Sequence, residues 1–190
     1  MTQQNQVPRV LALVGMPGAG KTLCAKHLED RDFFQFRFGG IIVDEVVRRG
    51  MAINPQNERA VREEFRRDSM DAIAQLALPK LREGLTNHRT IIIDGLYSFS
   101  EYKTLRKEFG TSMIVVAIVA PRAMRYERLA SRPIRPLTPE EAFERDVTEI
   151  ETIEKGGPIA IADYTLLNNS TSAVLLRQLD GLLQDLDIYP

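Results

Sequence analysis

The sequence predicts an α/β fold in which helices cover both faces of a parallel sheet. Three observations carry that expectation. Residues 10–14, Thr90–Asp94 and 113–120 are almost unbroken runs of Ile, Val, Leu and Ala, the pattern of strands buried on both faces. Between such runs lie stretches with apolar residues at helical spacing, so strands alternate with helices. The first run feeds straight into the glycine-rich stretch LVGMPGAGKT, which leads into a helix-forming segment. In a sheet of this kind a ligand sits at the carboxyl ends of the strands, where that stretch lies.

Taken in order, the chain begins with the polar segment MTQQNQVPR, in which no hydrophobic signal region is expected. Residues 10–14 form the first strand, and residues 23–30 a helix after the glycine loop. This helix holds the single cysteine, Cys24, expected in the core; one cysteine excludes an internal disulfide framework. A short strand is expected at 35–38. Asn54-Pro55 opens a helix, proline suiting a first turn. It is expected to run past Phe65, Met70 and Ile73 towards Leu85, with a kink at Pro79. Within it, Arg66-Arg67-Asp68 reads as an ordinary solvated face.

Thr90–Asp94 is the next strand, residues 98–109 a helix ended by Gly110, 113–120 a strand and 121–131 a helix. Thr138-Pro139-Glu140-Glu141 combines a cap, a proline in the first turn and a glutamate at the capping-box position. The helix it opens carries Phe143, Val147 and Ile150 on one face and is expected to stop at Gly156-Gly157-Pro158. A strand at 164–168 precedes a last helix, 171–186, whose Leu175, Leu179, Leu182, Leu183 and Leu186 repeat at helical spacing as core residues. His27 and His88 are the only histidines. Neither has metal-ligand neighbours in sequence, and both are expected at the surface.

The chemistry starts with the pattern G-x-x-x-x-G-K-[ST], met by Gly15, Gly20, Lys21 and Thr22, with Pro17, Gly18 and Ala19 between the glycines. A phosphate chain needs several backbone N–H groups converging on one place, and Cβ atoms would block the approach. The following helix adds its unpaired N–H groups and its positive dipole end. Lys21 is expected to reach the β- and γ-phosphates and the Thr22 hydroxyl to ligate Mg²⁺. Asp94 ends a strand and is followed by Gly95, which places a carboxylate beside that metal. There it would hold a metal-bound water, or orient or deprotonate an acceptor hydroxyl. Arg125, Arg128 and Arg132, three and four residues apart, fall on one helical face and are expected to close as a lid over the moving phosphoryl group.

Composition bounds the rest. At 190 residues, 44% apolar and a formal net charge of −1, the chain reads as one globular domain. There is no basic excess, so no nucleic-acid surface is indicated. No apolar run is long enough to span a bilayer, and cytoplasm is the default compartment.

GMPGAGKT, IIIDG, the RxxxR of Arg128 and Arg132, and ADYTLLN resemble the nucleoside-monophosphate-kinase group of P-loop proteins. Over about residues 10–186, including FERD at 143–146, the chain more closely resembles a nucleotide-kinase-like family related to dephospho-CoA kinase. The resemblance implies a three-layer P-loop kinase fold with a five-stranded parallel sheet, spanning residues 1–190 as one domain. It also implies a helical acceptor-binding insert (about 33–89), an arginine lid (about 125–147), and ATP- and Mg²⁺-dependent transfer of the γ-phosphoryl group to a small nucleotide-like acceptor. Lys21, Asp94, Arg128 and Arg132 take the catalytic places, and Asn168 falls near the adenine. Two acceptor-phosphate arginines of such kinases are missing. Leu96, Tyr97 and Ser98 follow the Asp-Gly pair, and Gly39-Gly40-Ile41-Ile42-Val43 stands where Gly-Asp-x-x-Arg is usual. Arg37, Arg48, Arg62 or Arg66 are the candidates to replace them. A nucleotide-binding regulatory protein is the alternative reading. A GTPase is disfavoured, because Asn168-Asn169-Ser170-Thr171 stands where the base-reading N-K-x-D is needed.

Overall fold

The structure, a computed structural model, describes residues 9–190, so the reading of residues 1–8 lies outside it. Strand β1 (Arg9–Val14) forms the axis of the sheet because residues 10–14 are buried on both faces. It pairs in parallel with β3 (Thr90–Asp94) on one side and β4 (Met113–Val119) on the other. Strand β2 (Phe34–Arg37) adds outside β3 and β5 (Tyr164–Leu167) outside β4, again in parallel. The order is β2-β3-β1-β4-β5, the expected five-stranded, all-parallel sheet.

Alternation along β1 divides the core in two. Val10, Ala12 and Val14 join Ile91 and Ile93 against α2 (Phe38–Arg48), α3 (Pro55–Asp68), α4 (Ala72–Asn87) and α5 (Phe99–Phe109). Leu11, Leu13 and Ile92 meet Cys24 and Leu28 of α1 (Lys21–Glu29) and Leu175, Leu179 and Leu183 of α9 (Ser172–Asp185) on the other face. Cys24 is fully buried, as expected, and burial pushes its thiol up to about 12. Helices α6 (Arg122–Ala130), α7 (Pro139–Glu151) and α8 (Gly156–Ala160) follow β4 in the chain. Among the described residues no helix is long and apolar enough to cross a membrane.

The expected caps form. The Asn54 side chain accepts from the Asn57 N–H, and both Ser98–Glu101 and Thr138–Glu141 close capping boxes. Other expectations need correction. The single helix from Asn54 is two helices. Backbone at Ser69 is extended (φ −160°, ψ 138°), and Asp71 ties the break by accepting from Ser69, Thr104 and Gln75. Pro79 lies inside α4 at an exposed position, and the helix runs on past it to Asn87. Gly156-Gly157-Pro158 is not a stop but the start of α8. A Cβ on Gly157 would lie 2.6 Å from the Phe99 side chain, so glycine allows that helix to pack. Helix α2 was not expected at all, and α7 turns Phe143 and Ile150 outward, burying Ala142, Asp146 and Glu149 instead.

Hydrogen bonds hold the Asp71 carboxyl at about 2, below its ordinary 3.8, led by Ser69 and then Thr104. A depressed carboxylate stabilises the fold above its unfolded value and stops doing so as pH falls through its folded value. Asp71→Asn should therefore cost about 1 kcal/mol at neutral pH, discounted for solvent screening. The difference from the parent should disappear between about pH 4 and pH 2, as read from urea melts across that range.

Candidate active site

The turn from β1 into α1 is shaped by glycines at positive φ: 151° at Gly15, 77° at Gly18 and 115° at Gly20. The loop is also crowded from behind. A Cβ on Gly20 would lie 2.4 Å from Asn168 Nδ2, and one on Gly18 would lie 2.7 Å from the Arg125 carbonyl oxygen. Within the loop the Ala19 N–H donates to Met16, while Leu23 and Cys24 donate to Gly20. The N–H groups of Gly18, Gly20, Lys21 and Thr22 donate to no protein acceptor among the described residues, and all four residues line one large cleft.

Three consecutive carbonyls of this loop are held by side chains from distant segments. Buried Arg125 donates to Pro17 O at 2.9 Å and forks onto Asp146 of α7 at 2.9 and 2.5 Å. Arg128 donates to Gly18 O at 3.4 Å and to Asn168 at 3.1 and 3.2 Å. Asn168 Nδ2 donates to Ala19 O at 2.7 Å. These bonds brace the loop. Arg125 is buried against it, and Arg132, past the end of α6, is exposed and lines the same cleft. Asn168 commits both ends of its side chain to the loop and Arg128.

Lys21 curls back, its Nζ donating to Gly15 O at 2.6 Å. Burial and then the neighbouring Lys155 cation push its ammonium down to about 7, against the pull of Glu149 and Asp94. Asp94, opposite Leu13 in the sheet, opens into the same cleft as the exposed Thr22. Among the described residues no group of three or more His, Cys, Asp or Glu forms a metal cage. One hydroxyl and one carboxylate fit instead a hard cation that arrives with phosphate and water ligands of its own.

The cleft, about 1670 Å³, extends well beyond the loop. Phe38, Gly39 and Ile42 show that the stretch in place of the Gly-Asp-x-x-Arg pattern is one apolar wall of it. On another side stand residues that the sequence did not disclose. Lys155 and Glu149 form a buried ion pair, Arg145 donates to Glu149 at 3.1 Å, and Lys155 Nζ lies 4.8 Å from the centre of the Tyr97 ring. Glu149 and Lys155 sit six residues apart across a helix end, a spacing with no local signature. Arg66 is not the solvated residue expected. It is half-buried at the cleft, burial pulls its guanidinium down, and its Nε has no partner. Arg62 lines the same wall, whereas Arg37 pairs with Glu29 and Arg48 with Glu45 outside the cleft.

A glycine cradle at the head of α1, on the central strand of a parallel sheet with a carboxylate ending the next strand, defines a P-loop kinase-like domain. Residues 11–151 match the model of a family described as AAA domain, and the chain is 32% identical over 179 residues to a UPF0200 protein of Thermococcus onnurineus (92% of this chain, 96% of the relative). The chain belongs to both groupings, the AAA domain and the UPF0200 family. Its fold is similar to that of TT1252 from Thermus thermophilus (TM-score 0.62, 19% identity, 95% and 98% of the two chains covered). It is also similar to that of shikimate kinase from Bacteroides thetaiotaomicron (TM-score 0.59, 16% identity, 93% and 98% covered).

Removing one partner of a buried ion pair leaves an uncompensated charge and costs about 3–5 kcal/mol. Asp146→Ala should therefore lower the melting temperature by roughly 6–20 °C in calorimetry, at about 2–4 °C per kcal/mol for a chain of this size. Because Arg125 also holds Pro17 O, phosphate-ligand affinity should weaken as well. Glu144→Ala, at an exposed position of α7, should change neither.

Proposed function

We propose that the protein is an ATP- and Mg²⁺-dependent phosphotransferase that moves the γ-phosphoryl group to a small nucleotide-like acceptor, such as a nucleoside monophosphate or dephospho-CoA. The observation that supports this most is the continuity of the cleft. The unpaired amides of the loop, Lys21, Thr22 and Asp94 open into the same space as a second wall rich in arginine. A protein that only held a nucleotide would need the first half alone. The kinase-like fold and the likeness to shikimate kinase are in keeping with this reading.

Mg–ATP, when bound, supplies the phosphoryl group and the divalent charge. The amides of Gly18, Gly20, Lys21 and Thr22 are the donors that would hold its phosphate chain, with the Thr22 hydroxyl the metal ligand. Lys21 releases its bond to Gly15 O and turns to the phosphates. Their negative charge relieves the repulsion from Lys155 and favours the ammonium form. Asp94 accepts the acceptor hydroxyl's proton or orients that hydroxyl. Arg128 and Arg132 offset charge as it spreads over the moving group, Arg128 from α6 beside the loop and Arg132 from the exposed segment beyond α6. In this reading residues about 33–89 are the acceptor-binding insert, and the lid lies within residues about 125–147.

The test is an ADP-release assay over nucleoside monophosphates, dephospho-CoA and small alcohols, beside calorimetric titration with Mg–ATP. One or more acceptors should stimulate ADP release. Lys21→Ala should abolish transfer and weaken Mg–ATP binding while leaving the melting curve in place. Asp94→Asn should bind Mg–ATP and turn over at least about 100-fold more slowly. Saturable Mg–ATP binding with no acceptor effect anywhere in the panel would instead indicate a regulatory nucleotide sensor. Parent-like turnover by Lys21→Ala would rule out the role given to the loop.

A further inference from the structure

The wall of the cleft facing the loop carries charge that the protein itself leaves unanswered. Helix α3 holds a run of arginines, and their partners separate them. Arg59 is paired with Glu63 at 2.7 Å, and Glu64 is taken by Arg49 of the neighbouring segment. Arg62 and Arg66, four residues apart on one stripe of the helix, line the cleft and have no carboxylate within ion-pairing distance among the described residues. Beside them Glu101 is fully buried. Its Oε2 accepts from the N–H groups of Tyr97 and Ser98, both at 2.9 Å, while Oε1 has no partner although Glu101 lines the cleft.

Two buried atoms of opposite character thus stand in one wall: a donor, Arg66 Nε, and an acceptor, Glu101 Oε1. They attract one another but do not pair. A buried polar atom without a partner costs about 1–3 kcal/mol, and a ligand that satisfies it recovers that cost. A ligand satisfying both must bring a negative or strongly accepting group for the arginine and a hydrogen-bond donor for the carboxylate. The apolar side of the same space, Phe38 and Ile42, and the Tyr97 ring suit the body of such a molecule.

We propose that the acceptor is an anionic molecule whose phosphate or carboxylate group is gripped by Arg62 and Arg66 while a neighbouring hydroxyl or N–H of the same molecule donates to Glu101 Oε1. This rests on the phosphotransferase reading and adds the class of acceptor to it. Two guanidinium groups four residues apart can each offer paired N–H donors to one anion, the geometry suited to phosphate and carboxylate. They take the place of the two arginines missing from the segments after β2 and β3.

The experiment titrates the full chain, loaded with Mg–ADP, with phosphate monoesters (the common ribonucleoside monophosphates and dephospho-CoA) and with hydroxycarboxylates, each beside its neutral counterpart. An anionic member should bind about 10- to 100-fold more tightly than its neutral counterpart, and the responding arm tells phosphate from carboxylate. Arg62→Gln and Arg66→Gln should each weaken that anion about 10- to 100-fold and leave Mg–ATP affinity within about twofold. Arg48→Gln, outside the cleft, should change nothing. Glu101→Gln retains a residue suited to the capping box and should weaken the anionic acceptor but not inorganic phosphate. With Mg–ATP binding intact, equal affinity for charged and neutral members, or unchanged anion binding in Arg66→Gln, overturns this acceptor class and leaves the phosphotransferase reading standing. Failure of the parent protein to bind Mg–ATP overturns that reading and this one together.

Discussion

The site depends on where the carbonyl groups of one loop are pointed. Backbone donors and acceptors alternate along a chain, so amides can converge on a ligand only if the carbonyls between them are satisfied elsewhere. Here Pro17, Gly18 and Ala19 give their carbonyls to Arg125, Arg128 and Asn168, which approach from α6 and from the end of β5. Side chains thus replace the regular ladder that a helix or strand would supply, and the glycines let the backbone turn tightly against them. The neighbouring amides are left facing the cleft. Sequence patterns for such loops name the glycines, the lysine and the hydroxyl; the braces behind them come from segments more than a hundred residues away.

That arrangement has an electrostatic consequence. Lys21, Lys155, Arg66, Arg62 and five further arginines border one partly desolvated space, and the carboxylates that line it, Glu63, Asp94, Glu101 and Glu149, are too few to neutralise them. Glu149 is shared between Lys155 and Arg145, Glu101 is half-used by a helix start, and Asp94 stands at the loop. Burial pulls the ammonium groups of Lys21 and Lys155 and the Arg66 guanidinium down. A site whose cations are poorly solvated and incompletely paired gains most from ligands that carry several negative charges. Composition hides this, because a net charge of −1 spreads evenly over the sequence while the fold sorts it.

How much of this was legible follows from the range of each interaction. The strands β1, β3 and β4 were plain because burial on both faces leaves a continuous apolar record. The helix starts at Asn54, Ser98 and Thr138 were plain because a cap and its partner lie three residues apart. The loop was plain for the same reason, being one contiguous motif. Helix α2 was hidden by Gly39-Gly40, which reads as a break, and the division of α3 from α4 by Asp71, whose partners include Thr104 on another helix. The brace at Arg125 was hidden: spacing placed it beside Arg128, and only the partner Asp146, twenty-one residues on, shows that Arg125 is a strut.

Helix α7 joins the two halves of the site. Asp146 and Glu149, three residues apart, share its buried face. The first holds Arg125 and through it Pro17 of the loop; the second holds Lys155, whose charge acts on Lys21. Lifting α7 from the body would expose both ion pairs or strand one member of each, at several kcal/mol. In the phosphotransferase we propose, α7 is therefore part of the frame, and any closing motion is confined to the exposed segment between α6 and α7. Arg132 stands there, with Arg135 at φ 53° and Ile134 largely exposed. Such a segment has few buried contacts to lose when it moves, and it brings a guanidinium to the cleft without disturbing the braces that shape the loop.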